Sequence, residues 1–303
     1  MNKGFNNILL ITRAYIELMK PSILIMVLIT TLLGYYLGNE GAMSWIRLIW
    51  TLLGTSLSAG GAGALNQYLE RDQDKLMDRT CNRPIPAGII QPQNALLFGV
   101  SAVIMGSIIL VMKINTLTGF LSLLTAFMYV LIYTPMKKLT WLNTSLGSIP
   151  GALPPLGGWT AATGNVDSGA WILFAILYLW QHPHFFAIAW MCKDDYQKAG
   201  FKMLPVIEPN GSRTIRQIFW HLSLLFPVCF LPFIIGMSGN IYLFGTTILT
   251  LLYFLSAIPM LKEISSKNAS LILKASVLYL PLLMVIIIIY KGILTCFLDH
   301  GFM

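Results

Sequence analysis

Long apolar runs, separated by short polar segments, recur along almost the whole chain. Each run is about 20 residues long, which is the length a helix needs to cross the hydrocarbon core of a bilayer. The runs are continuous rather than alternating, so they favour membrane helices over a membrane β-barrel. The pattern predicts an all-α polytopic membrane protein with nine transmembrane helices. The predicted spans are residues 22–39, 45–68, 94–112, 116–134, 142–161, 168–190, 217–236, 240–260 and 272–295.

The fifth predicted span, residues 142–161, is the least regular of the nine. It contains Pro150, Pro154 and Pro155 together with several glycines. Proline inside a helix removes a hydrogen bond and breaks or kinks the helix. Freed backbone groups are tolerated at membrane depth only where protein or a water-filled cavity surrounds them. We therefore expect this span to be broken or kinked and to line an interior cavity.

The basic residues indicate which ends of the spans share a side. If the N-terminus is cytoplasmic, all but Arg47, Lys113 and Lys291 of the 20 lysines and arginines lie on the cytoplasmic side. This bias follows the positive-inside rule and predicts a cytoplasmic N-terminus and an outside C-terminus. It also accounts for the net charge of +8 without a nucleic-acid partner. We see no transit peptide before the first span, which favours the bacterial cytoplasmic (inner) membrane.

The composition leaves little room for a soluble domain. Hydrophobic residues make up 56% of the 303 and charged residues only 11%, about half the charged fraction of a soluble domain. We expect a single membrane domain over residues 1–303, with an amphipathic lead-in at about 1–21 that is too polar for a cleaved signal peptide. Two charged cytoplasmic loops, residues 69–93 and 191–216, are expected to carry the chemistry. The four cysteines have no paired spacing and predict free thiols.

The most charged stretch, NQYLERDQDKLMDRTCNRPIPAG, begins at the end of the second span. If the helix continues, Asn66, Glu70 and Asp74 lie on one face at spacing i, i+4, i+8, and Asp78 extends the row. These oxygens suit Mg²⁺, which takes one or two carboxylates and completes its shell with water and substrate phosphate. Arginines in the same stretch can pair with a phosphate that bridges the metal. The arginines are Arg71, Arg79 and Arg83.

The alternative interpretation of this stretch is a solvated loop with i, i+4 ion pairs. Against it, Asn66 lies inside the span, where a polar amide is costly and often functional. The small-residue run SAGGAGAL precedes Asn66 and lets another helix or a ligand approach closely. The stretch therefore favours a site for a divalent metal and a diphosphate.

A second polar cluster, WQHPHFFAIAWMCKDDYQKAGFKMLP, begins near the cytoplasmic end of the sixth span. His182 and His184 flank Pro183, and Asp194 and Asp195 follow in the loop. The two acids can supply the other half of the shell of oxygen ligands around the cation. The histidines can bind a metal or donate protons. The spacing of the histidines is not that of a zinc site. The alternatives are an ordinary charged loop and hydrogen-bonded interfacial histidines. The candidate diphosphate-binding lysines are Lys137, Lys138, Lys198 and Lys202.

Together these segments resemble a known family. The charged stretch fits the pattern NxYxxRDxDxxMxRTxxRPxxxG from Asn66 to Gly88, and YTPMKK and WQHPHF…DDYQKAGFKMLPV follow it. Over nearly its whole length the chain is similar to the protohaem IX farnesyltransferases, or haem O synthases, a branch of the UbiA-type intramembrane prenyltransferases. The RTxxRP run and the His-Pro-His-Phe segment carry the resemblance to the haem branch.

The resemblance implies nine helices around a central cavity that the two acidic loops cap. It implies transfer of the farnesyl group of farnesyl diphosphate to a vinyl group of haem B, followed by addition of water. Mg²⁺ would be held by Asn66, Glu70, Asp74 and Asp195, and haem B would be a substrate rather than a cofactor. A haem A synthase or an oxidase subunit would be a partner within the bilayer.

One feature departs from relatives that prenylate quinone precursors. Those relatives carry spaced acids in their second motif, whereas Asp194 and Asp195 are adjacent and follow His182 and His184. Our hypothesis is that one of these histidines ligates the haem iron or hydrogen-bonds a propionate, while His221, alone in its span, is structural. The competing functions are a quinone-precursor prenyltransferase, a haem carrier and a transporter, the last of which needs a polar path on both faces.

Overall fold

A computed structural model describes residues 3–39 and 41–299, with side chains described for residues 8–39 and 41–289. The described residues form 14 α-helices and one π-helix, and none of them lies in a strand. The helices are α1 (Lys3–Leu18), α2 (Pro21–Gly38), α3 (Trp45–Asp74), α4 (Pro92–Lys113), α5 (Thr116–Phe127), the π-helix (Met128–Tyr133), α6 (Thr134–Leu139), α7 (Asn143–Thr163), α8 (Ser168–Met191), α9 (Lys193–Lys198), α10 (Leu204–Ile207), α11 (Ser212–Ile234), α12 (Asn240–Ala257), α13 (Pro259–Lys262) and α14 (Ser266–Asp299).

All nine predicted spans correspond to helical segments. Eight of these, within the described part of the chain, are long and apolar enough to cross a membrane. The remaining one is α7, the fifth predicted span, which runs unbroken for 21 residues through Pro150, Pro154 and Pro155. The span was predicted to be broken or kinked, and it is not broken. Helices α2, α5 and α8 pack against α7, and this enclosure holds the segment helical although three N–H donors are missing.

The spans pack in a closed order. Helix α3 packs on α4, α4 on α5, α5 on α7, and α7 on α8. Helix α8 packs on α11 and α14, and α12 joins those two. Helix α2 lies along α7 and also touches α3 and α14, which closes the arrangement around a central cavity. This order agrees with the predicted ring of helices.

Glycines let two pairs of helices pack closely. Helices α2 and α7 meet at Gly34 and Gly158, where a Cβ on either residue would overlap a backbone carbonyl of the other helix. Helices α3 and α4 meet at Gly61 and Gly99, where a Cβ on Gly61 would press on the carbonyl of Gly99. Gly61 belongs to the run SAGGAGAL, so the prediction that this run admits a neighbouring helix is confirmed.

Replacing Gly158 by alanine is expected to destabilise the protein by about 1–3 kcal/mol, because two backbones would have to move apart. Thermal unfolding of the purified protein in detergent measures this effect. Gly157→Ala is the matched control, since a Cβ at Gly157 meets no atom within 4 Å. Equal melting temperatures for the two variants would contradict the close α2–α7 contact.

Contacts between loops place the charged segments on one side of the bundle. The Lys198 ammonium lies 2.8 Å from Asp78 and joins the loop after α3 to α9. The backbone N–H of Lys202 donates to the Lys137 carbonyl at 2.7 Å and joins the same region to α6. The Lys20 ammonium, between α1 and α2, donates to the side chain of Asn66 on α3. The candidate site residues thus share one end of the molecule.

Candidate active site

A cavity of about 660 Å³ opens among the helices at this end of the bundle. Most of its wall is apolar and comes from α2, α3, α5, α7, α8 and α14. Residues of α7 contribute to the wall, as predicted from its glycines and prolines. The charged side chains of the wall are Lys20, Glu70, Asp74, Arg79, Arg83 and Lys137.

The acidic row lies on a single helix. Helix α3 continues to Asp74, so Asn66, Glu70 and Asp74 stand one above another on one face. All three are at most 4% exposed, and the two carboxylates line the cavity. Helix α3 ends at Asp74, however, and Asp78 lies beyond it in a turn with a side chain that is 85% exposed. The row therefore has three members, and Asp78 does not extend it.

Each member of the row is held by a partner from another part of the chain. The Lys137 ammonium lies 2.6 Å from the Glu70 carboxylate. One guanidinium nitrogen of Arg83 donates to both oxygens of Asp74, at 2.8 and 2.9 Å. The Asn66 amide donates to the Thr134 hydroxyl at 2.8 Å. Two carboxylates and two cations thus form two ion pairs at the end of the cavity.

Lys20 is a site residue that sequence reasoning assigned only to the lead-in. It adopts a left-handed backbone conformation, with φ 55°, between α1 and α2. Its ammonium donates to the Asn66 amide oxygen and to the Tyr129 hydroxyl, the latter at 3.3 Å. Burial and the nearby Arg83 lower the pKa of Lys20 to about 7, against the opposing effect of Glu70.

Besides the ion pair between Lys198 and Asp78, the second acidic loop meets the first through Arg79 and Tyr196. The Arg79 guanidinium lies over the Tyr196 ring, 4.8 Å from its centre, and both residues line the cavity. Burial opposes the charge of Arg79, but Tyr196, Cys192 and Asp195 outweigh burial and raise its pKa. Asp194 is exposed, and Asp195 lies 3.9 Å from the Lys198 ammonium; neither lines the cavity. The expectation that these two acids face the first row is not met in this arrangement.

The predicted diphosphate-binding cations divide into two groups. Arg79, Arg83 and Lys137 line the cavity. The other four lie outside the wall. Arg71 contacts the ring and the backbone carbonyl of Tyr68, three residues earlier on the same helix. Lys198 forms an ion pair with Asp78. Lys138 and Lys202 are also outside the wall, and their side chains are exposed.

His184 is the histidine that faces the cavity. It lines the wall from α8, stacked on Trp180 with ring centres 5.2 Å apart. Its Nδ1 lies 2.7 Å from the Ser276 hydroxyl, which donates its own proton to the Leu273 carbonyl. Nδ1 must therefore be the donor, which assigns the lone pair of the neutral ring to Nε2. That lone pair is available to a ligand in the cavity.

His182 lies on the opposite face of α8 and does not line the cavity. It is fully buried, donates from Nδ1 to the Tyr178 carbonyl at 2.7 Å, and stacks on His221 with ring centres 3.7 Å apart. Its Nε2 lies 3.2 Å from the Ser145 hydroxyl. His221, the only histidine of its span, was expected to be structural, and it packs on His182. The two form a packing contact between α8 and α11.

The residues in the wall fit a divalent cation that is shared with a diphosphate. Among the described residues, no three His, Cys, Asp or Glu side chains cluster tightly enough to hold a metal by themselves. Mg²⁺ does not need such a cage, because it takes one or two carboxylates and completes its shell with water and phosphate oxygens. Glu70 and Asp74 supply carboxylates from the wall, whereas Asn66 lies outside the wall and its amide oxygen accepts from Lys20. The cations that now pair with the carboxylates are the kind that bind phosphate.

The family model described as the UbiA prenyltransferase family matches residues 27–292 of the chain. The chain belongs to the UbiA prenyltransferase family. It is 44% identical over 280 residues to the protoheme IX farnesyltransferase of Solibacter usitatus, with 89% of this chain and 96% of the relative covered. It is 42% identical to the protoheme IX farnesyltransferase of Salinibacter ruber, with 91% and 97% covered.

Solved structures show the same fold at low sequence identity. A structure of digeranylgeranylglyceryl phosphate synthase superposes with a TM-score of 0.79 at 18% identity and covers 92% of this chain and 98% of that one. A UbiA homolog from Archaeoglobus fulgidus bound to GPP and Mg²⁺ superposes with a TM-score of 0.66 at 17% identity, with 90% and 99% covered. The chain therefore has the UbiA fold. The family match and the relatives at 44% and 42% identity make it a prenyltransferase.

Two tyrosines in the wall of this UbiA prenyltransferase were not predicted from the sequence. Tyr129 and Tyr133 lie at the π-helix, where the Thr134 N–H donates to the Tyr129 carbonyl five residues back. The Thr134 hydroxyl donates to the same carbonyl at 2.8 Å, and Pro135 follows without an N–H of its own. π-Helical turns are common at functional sites. The spacing of Tyr133 and Lys137 in YTPMKK, four residues apart, is the one signal that links them.

Proposed function

We propose that the protein transfers the farnesyl group of farnesyl diphosphate to a vinyl group of haem B and that water addition completes the hydroxyethylfarnesyl side chain of haem O. The proposal rests on a single cavity that combines two features. Its end holds carboxylates paired with cations, and its apolar wall holds a histidine, His184, whose Nε2 is available to a ligand. The relatives named protoheme IX farnesyltransferase support the same substrates.

The charged end of the cavity binds the diphosphate. Glu70 and Asp74 would hold a divalent cation, and Asn66 would join them where the cation displaces Lys20 from its amide oxygen. The Archaeoglobus homologue bound to GPP and Mg²⁺ supports the choice of Mg²⁺. When bound, the cation supplies positive charge that stabilises the diphosphate as it leaves. Arg79, Arg83 and Lys137 add three cations aimed at the same group. The roles predicted for Asp78, Asp194 and Asp195, and for the cations outside the wall, stay predictions without support from this arrangement.

The apolar part of the cavity serves the carbon chemistry. When the allylic C–O bond breaks, the farnesyl cation must be kept from water until it meets the vinyl group, and an apolar wall excludes water. A vinyl group is a weak nucleophile, so a strong electrophile of this kind is required. Haem B lies against α2, α8 and α14, where the wall includes His184 and exposed apolar residues such as Met26 and Val277. Those exposed residues offer haem a route from the bilayer.

The proposal includes an orientation. We place the chain in the bacterial cytoplasmic (inner) membrane, with the N-terminus and the charged end of the cavity inside and the C-terminus outside, because the lysines and arginines concentrate at that end. Residues 1–303 then act as one domain, with α1 as an interfacial lead-in. A haem A synthase or an oxidase subunit would receive the product in the same bilayer.

The test is mass analysis of the pigment after reaction. Purified protein with haem B, farnesyl diphosphate and Mg²⁺ is expected to give a haem heavier by one farnesyl group plus one water, and EDTA is expected to abolish the product. Transfer to a phenolic acceptor without haem binding would identify a quinone-precursor prenyltransferase instead. Tight haem binding without any product would identify a haem carrier.

A further inference from the structure

Gln181 is a buried polar residue in the cavity wall to which the proposed reaction gives no role so far. It lies on α8, 4% exposed, and shares a face with His184 three residues later. Its amide nitrogen donates to the Leu177 carbonyl at 2.9 Å and towards the Ser148 carbonyl at 3.3 Å. Both amide hydrogens are thus committed to backbone oxygens of α8 and α7.

These two contacts fix the direction of the amide oxygen. A flipped amide would bring Oε1 against two carbonyl oxygens, so the nitrogen must remain where it is. Oε1 then lies against Gly151 of α7, where a Cβ would overlap it, and both residues line the cavity. No described residue donates to Oε1. Oε1 therefore has no partner in the described part of the protein and faces the cavity, where a donor can reach it.

The chemistry of the substrates identifies that donor. The farnesyl chain has no N–H or O–H group, and the diphosphate and ionised propionates are acceptors. The pyrrole nitrogens of haem are bound to iron. Water is therefore the only reactant that can donate to Gln181.

We propose that Gln181 Oε1 holds the water molecule that hydrates the farnesylated vinyl group, an inference that rests on the proposed function. Farnesyl C1 forms a bond with the terminal vinyl carbon as the C–O bond to diphosphate breaks, which leaves a cation on the vinyl carbon next to the ring. The water oxygen bonds to that carbon, and its proton passes to the released diphosphate, because an amide oxygen is too weak a base to keep it. No oxidant or reductant is needed.

If no water is held beside it, the same carbocation reacts in a different way. It loses a proton from the adjacent carbon to diphosphate, which gives an alkene that is lighter than the hydroxylated product by one water. Gln181 is thus a positioning residue whose role appears in the ratio of two products and not only in the rate. The distance between i and i+3 residues on a helix, about 5–6 Å, keeps this water close to a haem bound at His184.

The experiment measures the ratio of alkene to hydroxylated farnesyl haem by liquid chromatography and mass spectrometry. Gln181→Met keeps the side-chain length and removes the acceptor, and it is expected to raise the ratio at least about tenfold (about 1.4 kcal/mol). Thr30→Val is the matched control, because Thr30 also lines the cavity but its hydroxyl donates to the Met26 carbonyl of its own helix. The control is expected to keep the wild-type ratio.

A second variant keeps Gln181 and displaces its oxygen. Gly151→Ala places a methyl group where Oε1 lies, so this variant is expected to raise the ratio of alkene to hydroxylated product several-fold. It replaces Gln181→Met as the test if that variant does not fold. An unchanged ratio in either folded variant overturns the inference. Failure of the wild-type protein to farnesylate haem would instead overturn the proposed function, so the two failures are distinguishable.

Discussion

Asp74→Asn is expected to reduce farnesyl transfer by about 10³-fold, because it removes one of the two carboxylates that hold the cation beside the leaving group. Asparagine has the same shape as aspartate and still accepts a hydrogen bond from Arg83, so the fold is expected to persist. The measurement is the initial rate of product formation at saturating haem B, farnesyl diphosphate and Mg²⁺. Haem binding, followed by the Soret band, should remain unchanged.

Asp72→Asn provides the matched control on the same helix turn. Its side chain is 66% exposed, pairs with Lys75 at 3.6 Å and does not line the cavity. This variant is expected to stay within about twofold of the wild-type rate, since a surface ion pair contributes little. If Asp74→Asn kept more than a tenth of the wild-type rate, the acidic row would not be the diphosphate site.

His184→Ala is expected to weaken haem binding at least about tenfold, or about 1.4 kcal/mol, and to shift the Soret band. The reason is the hydrogen bond from Nδ1 to Ser276, which leaves Nε2 as a free base at the cavity wall. Neutral imidazole is a common axial ligand of haem iron. Titration of the detergent-purified protein with haem B, read by absorbance, gives both the affinity and the band position.

His182→Ala separates ligation from packing. His182 is buried against His221 and Tyr178, outside the cavity wall, so its loss is expected to lower the melting temperature and to leave the Soret band in place. An unchanged band and affinity in His184→Ala would rule out both iron ligation and a propionate contact by that residue. A shift confined to His182→Ala would assign the ligand to the other face of α8.

The sequence was sufficient for the helices and for the acidic row because both depend on local periodicity. Nine spans were predicted, and in the described part of the chain eight of the matching helical segments, all except the proline-rich α7, are long and apolar enough to cross a membrane. The spacing of Asn66, Glu70 and Asp74 needed only a continuing helix. The prolines of α7 did not produce the break that was one of the two predicted effects, because the effect of proline on a helix depends on the neighbouring helices. A helix enclosed on several sides stays continuous where an isolated helix would break.

The partners of the row could not be predicted, because they come from distant parts of the chain. The contact between Lys137 and Glu70 depends on how the segment after the π-helix packs, and Lys20 reaches Asn66 only through a left-handed turn. For the two histidines, the sequence permits only part of the prediction. Residues two apart on a helix lie on nearly opposite faces, so the sequence implied that His182 and His184 differ, but not which of them faces the cavity.

The two ion pairs at the end of the cavity have a consequence for the order of ligand capture. Glu70 with Lys137, and Asp74 with Arg83, nearly cancel each other's charge. A metal ion arriving alone must displace the cations, and an anion arriving alone must displace the carboxylates to reach Lys137 and Arg83. A metal bound to a diphosphate satisfies all four groups at once, so the two ligands should bind with positive cooperativity. Free phosphate and other cellular anions then compete poorly for the site.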